Sequence, residues 1–137
     1  MAGYIVVDTD VLIDFFTGRS PSAEVVERLL HGDRLALTSV ALFGLACGVR
    51  TEDQLSDLEL LVGAARMVPL DAAASLRAGA LYRVLRGKGE LLETADLLIA
   101  GCCLAADLPL LTRNIKHFRR AEGLQLYEAE GLLEGEP

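Results

Sequence analysis

Short apolar runs alternate with helix-patterned segments along this 137-residue sequence, and the alternation restricts the folds open to it. The runs are four or five residues long, the pattern of strands covered on both faces. They occupy residues 4–7, 34–38, 66–70, 108–112 and 124–127. Strands this short, separated by helices, require parallel crossover connections. The sequence therefore predicts an α/β sandwich built on a parallel sheet.

Helices are predicted between these runs from apolar periodicity and from capping residues. Six are expected, over residues 11–16, 20–32, 39–48, 52–64, 72–86 and 95–107, with Ser39, Asp71 and Thr94 as N-terminal caps of the third, fifth and sixth. No linker interrupts the chain, and 137 residues suffice for one core without staples. Residues 1–137 are thus predicted to form a single domain, with a tail at 129–137 that is frayed or helical for one turn.

The composition bears on location and partners. Hydrophobic residues make up 52% of the chain, yet the longest apolar run, 97–106, is too short to span a bilayer. The N-terminus shows no signal-peptide pattern, so a cytoplasmic protein without membrane contact is expected, with its surplus apolar surface in an oligomer interface. The net charge of -7 argues against a long nucleic-acid footprint but is compatible with a small acidic metal site.

Three cysteines, Cys47, Cys102 and Cys103, form neither an even disulfide framework nor a CxxC metal pattern. The adjacent pair in an apolar helix is interpreted as two small buried hydrophobes in a reducing compartment. Four further side chains are interpreted as core residues and not as platforms for stacking bases: Met67, Phe15, Phe16 and Phe43.

Carboxylates at the ends of predicted strands are the candidate chemistry. The stretch "YIVVDTDVLIDFF" places Asp8, Asp10 and Asp14 at and after the end of the first strand. Asp96 opens the helix that leads into the fourth strand, and Asn114 follows that strand. Ligands gather outside the carboxyl ends of parallel strands, so these residues can converge at one edge. Mg²⁺ and Mn²⁺ favour carboxylate and water ligands, and such ions cleave phosphodiesters.

Each acid also has a purely structural interpretation. Asp8 or Asp10 can cap the next helix, a role that suits Asp10 well, and Asp14 fits a solvated helix position. Asp96 can complement the positive end of a helix dipole. The helix that follows Asp96 is apolar on nearly every side, however, which favours a ligand at its mouth. Glu93 is a minor candidate on the same side.

Four segments together carry a family resemblance. They are "IVVDTDVLIDFF", "TSVALFGLACGV", "TADLLIAGCCLAADLPLLTRNIKHF" and "GLQLYE". In order and length, over nearly the whole chain, this sequence resembles the PIN-domain family, in particular the VapC toxins of bacterial toxin–antitoxin pairs. The resemblance implies a three-layer α/β/α sandwich with a parallel sheet of four to five strands, and a Mg²⁺- or Mn²⁺-dependent ribonuclease.

The resemblance also implies site residues and partners. The first family aspartate falls on Asp8 and the aspartate of the "D.LIA" motif on Asp96, the two implied metal ligands. Thr112 and Asn114 match the polar positions after strand four and complete the implied catalytic set. The implied partners are an RNA substrate, a cognate VapB-like antitoxin that places a basic side chain against the acids, and a second copy in a homodimer.

Two positions depart from the family pattern. The family glutamate of "EL..G" falls on Gly44, which provides no side-chain ligand and costs about 1 kcal/mol relative to alanine inside a helix. His117 stands where many relatives carry an acid, and imidazole suits Mn²⁺ better than Mg²⁺ or can contact a phosphate. Three explanations are open for Gly44: reduced natural activity, a deliberate change that removes toxicity, or compensation by Glu93 or Asp10.

Basic residues cluster after strand four, beside the expected site. Arg113 and Lys116, with His117, are candidate phosphate contacts for RNA; Arg119 and Arg120 belong to the same run. The alternative interpretation of this basic run is that it forms the solvent-exposed face of a helix and has no role in binding.

Three functions follow from these observations. The leading one is a VapC-like endoribonuclease toxin, with activity in doubt because of Gly44. The second is a catalytically impaired PIN-fold protein that binds antitoxin, RNA or operator DNA. A phosphatase or nucleotide-binding domain is third and lacks support, since no GxGxxG or GxxxxGK[ST] loop follows the first strand.

Overall fold

A five-stranded, fully parallel sheet forms the centre of the protein. The computed structural model describes residues 3–135. The strand order across the sheet is β3-β2-β1-β4-β5, so β1 is central and the chain moves outward from it in both directions. The strands are β1 Ile5–Val7, β2 Leu35–Thr38, β3 Arg66–Val68, β4 Leu110–Leu111 and β5 Leu126–Tyr127. The predicted parallel sheet is confirmed, and it has five strands where four to five were expected.

Eight helices among the described residues connect and cover the strands. They are α1 Thr9–Phe16, α2 Ser22–His31, α3 Ser39–Cys47, α4 Glu52–Ala64, α5 Ala72–Lys88, α6 Thr94–Ala106, α7 Ile115–Phe118 and α8 Ala129–Glu134. The four-residue α7 follows β4 and was not expected from the sequence. No helix in residues 3–135 has both the length and the apolar character needed to cross a lipid bilayer.

Each face of the sheet supports its own apolar core. Successive strand residues point to opposite faces, so Val6 joins one core and its neighbour Val7 the other. The Val7 side packs against α1, α2 and α4, while the Val6 side packs against α5 and α6. Helices therefore cover both faces, and the predicted three-layer α/β/α sandwich is confirmed.

Helices α5 and α6 pack closely against each other at a glycine. A Cβ built on Gly101 would lie 2.7 Å from both the Ala74 carbonyl oxygen and the Ala78 Cβ. Real side chains do not approach so closely, so only glycine fits this crossing. The contact holds α6, which carries Asp96 in its first turn, against α5.

Several helix ends differ from the sequence prediction by one or two residues. The N-cap of α3 is Thr38, whose hydroxyl accepts from the Ala41 N–H at 3.0 Å, and not Ser39. The N-cap of α6 is Glu93 and not Thr94. Helix α5 continues to Lys88 and ends at Gly89, whose left-handed φ of 69° suits glycine. Asp71 caps α5 as predicted.

The predicted tail and the residues assigned to the core can be compared with the structure. Within the predicted tail, α8 buries Ala129 and Leu132, while residues 136–137 lie outside the described part of the chain. Cys102 and Cys103 are buried, as predicted, and Cys47 is exposed. Phe43 is 71% exposed and Phe16 is 39% exposed, so their assignment to the core was wrong. Helix α3 buries only Ala41 and leaves much of its apolar surface in water. Phe15 and Met67 are partly buried against the core.

Candidate active site

Asp8 lies at the carboxyl end of the central strand and begins α1. Its Oδ1 accepts a hydrogen bond from the Thr9 N–H at 2.8 Å, and its Oδ2 accepts one from the Thr112 hydroxyl at 2.7 Å. The residue is only 5% exposed. Burial, and then the nearby Asp10 carboxylate, raise the pKa of Asp8 to about 7, although the hydrogen bonds from Thr112 and Thr9 oppose the shift.

Asp10 follows in the first turn of α1 and does not act as the cap, since Asp8 occupies that position. Its Oδ2 accepts a hydrogen bond from the Arg113 N–H at 3.2 Å. Its Oδ1 is buried and has no hydrogen-bond partner among the described residues. Burial raises the pKa of Asp10, while the nearby backbone N–H groups of Val11 and Arg113 act in the opposite direction. One oxygen of this carboxylate is thus fixed and the other is unpartnered.

Asp96 comes from the far part of the chain, in the first turn of α6. Burial raises its pKa, and the charges of Glu93 and Asp10 add to the shift, while His117 lowers it. Asp96 in turn is among the charges that raise the pKa of Asp8. The three carboxylates of Asp8, Asp10 and Asp96 are therefore close enough to influence one another, at the same rim of the sheet.

The polar positions after β4 form a chain of hydrogen bonds that ends on Asp8. Thr112 is 1% exposed, donates to Asp8, and accepts from the Asn114 N–H at 2.9 Å. The Asn114 side-chain oxygen contacts the His117 ring nitrogen Nδ1. Pairing of Val7 with Leu111 in adjacent parallel strands brings Asp8 and Thr112 side by side. The structure thus gathers Asp8, Thr112, Asn114 and His117 into one connected group.

Asp14 is not the solvated helix residue expected from its position. It is 6% exposed, and its Oδ2 accepts from the Ser22 hydroxyl at 3.0 Å and pairs with Arg113 Nε at 3.0 Å. The expectation was wrong because the loop after β4 reaches α1 across about a hundred residues of sequence. No local signal in the sequence indicates this pair.

The basic cluster is divided between several roles. Arg113 is held by Asp14, while Arg120 donates to the Leu91 carbonyl oxygen at 3.0 Å. Lys116 is exposed and, with Arg19 and Arg113, lines a cavity of about 520 Å³ that also reaches Thr112. Lys116 has no ion-pair partner within the part of the chain that the structure describes. These side chains place positive charge beside the acidic rim.

Gly44 lies near the same rim, in the middle of α3. A Cβ built there would meet only the Thr9 methyl carbon at 3.8 Å, an ordinary contact distance. Position 44 therefore has room for a Cβ and adjoins Thr9, the residue after Asp8.

The donor set fits a hard divalent ion that keeps part of its water shell. Among residues 3–135, no group of three or more His, Cys, Asp or Glu side chains is arranged so that it could hold a metal ion. Mg²⁺, however, is commonly held by one or two carboxylates together with waters and substrate phosphates. The unpartnered, buried Oδ1 of Asp10 is an observation that favours a cation nearby.

Fold and site together define an α/β protein with an acidic site at the carboxyl ends of a parallel sheet. The PIN domain family model matches residues 5–124, which is most of the chain. This chain belongs to the PIN domain family.

Individual relatives agree with that assignment. The chain is 31% identical over 126 residues to the ribonuclease VapC1 of Methanocaldococcus jannaschii, covering 90% of this chain and 87% of the relative. It superimposes on a chain of VapBC-1 from nontypeable Haemophilus influenzae with a TM-score of 0.78 and 27% identity, covering 93% and 98% of the two chains. A chain of DNA-bound VapBC from Salmonella typhimurium shares the fold, with a TM-score of 0.81, 22% identity and coverage of 93% and 99%.

Proposed function

We propose that this protein is a VapC-like toxin: a Mg²⁺- or Mn²⁺-dependent endoribonuclease of the cytoplasm that cleaves RNA phosphodiesters and is inhibited by a VapB-like antitoxin. One observation carries the proposal. Asp8 and Asp96, 88 positions apart by their numbers, meet at one rim, where the charge of Asp96 helps raise the pKa of Asp8. The naming of the relatives as ribonucleases supports the same chemistry.

The roles of the chain's own residues follow from the contacts. Asp8 and Asp96 hold the metal ion, and Thr112, itself held by the Asn114 N–H, fixes the orientation of the Asp8 carboxylate. The ion, when bound, supplies positive charge for the scissile phosphate and lowers the pKa of the attacking water. In the absence of the ion, burial favours protonated Asp8, so binding requires that Asp8 lose a proton.

The substrate would be positioned by the basic groups beside the rim. Lys116 is exposed, and Arg113 is 57% exposed even while it pairs with Asp14. Both, with His117, are assigned to contacts with RNA phosphates on either side of the cleaved bond. Contacts of this kind position the strand and carry no base specificity.

The antitoxin and a second copy would cover apolar surface. A cavity of about 350 Å³ between α1, α3 and α4 is lined by Ile13, Phe16, Leu45, Val49 and Leu58, among others, and suits the apolar face of an antitoxin segment. Phe43 and Leu60, which are 71% and 72% exposed, are further apolar surface for a homodimer contact. A basic side chain of the antitoxin would then reach Asp8 and Asp96.

Metal-dependent cleavage of RNA by the purified protein tests the proposal. We expect the wild type to cut RNA with Mg²⁺ or Mn²⁺ and not with a chelator, and Asp8→Asn to reduce the rate at least about 100-fold because a metal ligand is lost. Asp107→Asn, an exposed change at the end of α6, is the matched control. Absence of cleavage by the wild type with either metal would contradict the proposal.

Gly44 favours a second candidate, a PIN-fold protein that binds its antitoxin, RNA or operator DNA without cutting. Gly44→Glu separates the two, because the change restores the carboxylate of the family pattern at a position with room for a Cβ. If the second function holds, only the Gly44→Glu variant cleaves. If the first holds, the wild type cleaves and the variant is faster.

A further inference from the structure

We propose that Asp10 provides the third carboxylate of the cation site, in place of the side chain that Gly44 lacks. This inference rests on the proposed metal-dependent function, which assigns Asp8 and Asp96 as ligands. It selects one of two possible compensating acids, Asp10 and Glu93, from the environment of each.

The two oxygens of Asp10 have different environments. Oδ2 accepts from the Arg113 N–H at 3.2 Å, which fixes the direction of the carboxylate. Oδ1 is buried and has no hydrogen-bond partner within residues 3–135. An unpartnered buried carboxylate oxygen is costly, because it has given up water and gained nothing in return. A cation, or a water molecule bound to one, would satisfy it.

Asp10 is also close to both assigned ligands. It is one helical turn or less from Asp8 in α1, and its negative charge acts on both Asp8 and Asp96. Asp96 is half-buried and has no hydrogen-bond partner in the described part of the chain, so rotating its side chain toward a shared ion breaks no such bond. Asp10 thus lies within electrostatic range of both assigned ligands.

Tertiary contacts hold Asp10 in this position. The Arg113 guanidinium pairs with the buried Asp14 at 3.0 Å, and the Ser22 hydroxyl donates to the same Asp14 oxygen at 3.0 Å. These contacts fix the loop after β4, so the Arg113 N–H is held against Asp10 Oδ2. Asp14 and Arg113 are therefore positioning residues for the third carboxylate.

Glu93 has none of these features. It is exposed, it precedes α6 as the N-cap residue, and its side chain makes no capping hydrogen bond. A solvated glutamate keeps its water and has a longer, more flexible side chain to order on binding. Its charge acts on Asp96 more strongly than the charge of Asp10 does, but it is not among the charges that raise the pKa of Asp8, and nothing fixes its carboxylate at the rim.

Calorimetric titration of Mn²⁺ into the metal-free protein, at a pH that ionises the acids, tests the assignment. We expect Asp10→Asn to weaken Mn²⁺ binding at least about tenfold, since even indirect partners of a metal site contribute that much. Glu93→Gln removes the same charge and should weaken binding at most about threefold, because its charge is exposed and screened. Asparagine retains an acceptor for the Arg113 N–H, and thermal unfolding checks that the fold is kept.

Two further variants keep the test decisive. Asp10→Ser removes the carboxylate by a different route and should reproduce the loss if Asp10→Asn does not fold. Gly44→Glu should strengthen Mn²⁺ binding more in the Asp10→Asn protein than in the wild type, because one carboxylate replaces the other.

The outcomes separate this inference from the proposed function. If the wild type binds Mn²⁺, Asp8→Asn abolishes binding and Asp10→Asn binds within threefold of wild type, the metal site stands and the role of Asp10 is overturned. An equal loss in Glu93→Gln and Asp10→Asn also overturns it. If the wild type binds no Mn²⁺, both the inference and the metal-dependent function fail.

Discussion

The Thr112 hydroxyl donates a 2.7 Å hydrogen bond to Asp8 Oδ2, although the two residues are 104 positions apart in sequence. Both side chains are almost completely buried, at 1% and 5% exposure. They meet because β1 and β4 are neighbours in the parallel sheet and end at the same level. This bond therefore ties the geometry of the proposed metal site to the pairing of two central strands.

Replacing Thr112 with valine should lower the free energy of unfolding by about 1–3 kcal/mol, since a buried carboxylate loses its donor at nearly constant side-chain volume. The hydrogen bond lowers the pKa of Asp8, so its loss should raise that pKa further. The acid limb of the pH–rate profile for RNA cleavage would move to higher pH. Thr112→Ser keeps the hydroxyl and should leave the profile unchanged; equal shifts in both variants would contradict the prediction.

Stability of the metal-free protein should fall as the pH rises from about 4 to 7. The pKa of Asp8 is about 7 in the folded protein and 3.8 without the fold, so the folded state binds a proton more tightly in this window. That contribution to stability is complete below the lower value and is lost as the pH rises through the upper one. A difference of one pKa unit corresponds to about 1.4 kcal/mol, so the contribution of Asp8 to the free energy of unfolding is at most about 4 kcal/mol.

Denaturant unfolding in a chelator measures this effect. Asp8→Asn removes the titrating group, so the difference in unfolding free energy between variant and wild type should change with pH in the stated direction. A difference that is constant from pH 4 to 7 would contradict it. Mn²⁺ should restore wild-type stability at neutral pH, because a bound ion replaces the proton.

Arg113→Met should destabilise the protein by about 1 kcal/mol, a discounted figure because the Arg113 side chain of this ion pair is 57% exposed. The cost arises because Asp14, whose side chain is 9% exposed, is left with Ser22 as its one side-chain donor among the described residues. Arg119→Met is the matched control, since no ion pair of Arg119 occurs in residues 3–135. Equal unfolding free energies for the two variants would count against the pair as a stabilising contact.

Gly101→Ala should destabilise the protein by about 2 kcal/mol or more, because the new methyl overlaps Ala74 and Ala78 in a closely packed interface. Gly63→Ala is the matched control inside another helix, where a Cβ would meet nothing within 4 Å. That change should stabilise the protein by up to about 1 kcal/mol through helix propensity. Thermal unfolding of both variants checks the opposite signs.

Most of the fold could be predicted from the sequence, because strands and helices are indicated by patterns within short segments. Short apolar runs such as Ile5–Val7 and Leu35–Thr38 can only be strands covered on both faces, and the intervening periodicities require crossover helices. The sequence-based predictions were wrong where burial or capping depends on what the rest of the structure places next to a residue. Phe43 has the composition of a core residue but lies on a helix face that nothing in residues 3–135 covers. Thr38 and Ser39 are adjacent, and apolar periodicity does not locate the start of α3 to within one residue, so it could not decide which of them is the N-cap.

The sequence by itself determined the order of strands and helices, and it placed Asp8, Asp96, Thr112 and Asn114 at their ends, because residue type and spacing are properties of short segments. Only the tertiary structure decided which acids have partners. Asp14 is bound to Arg113, while one oxygen of Asp10 has no partner within the described residues. These contacts join positions about a hundred residues apart, and burial and hydrogen bonding across such distances arise only when the sheet is assembled.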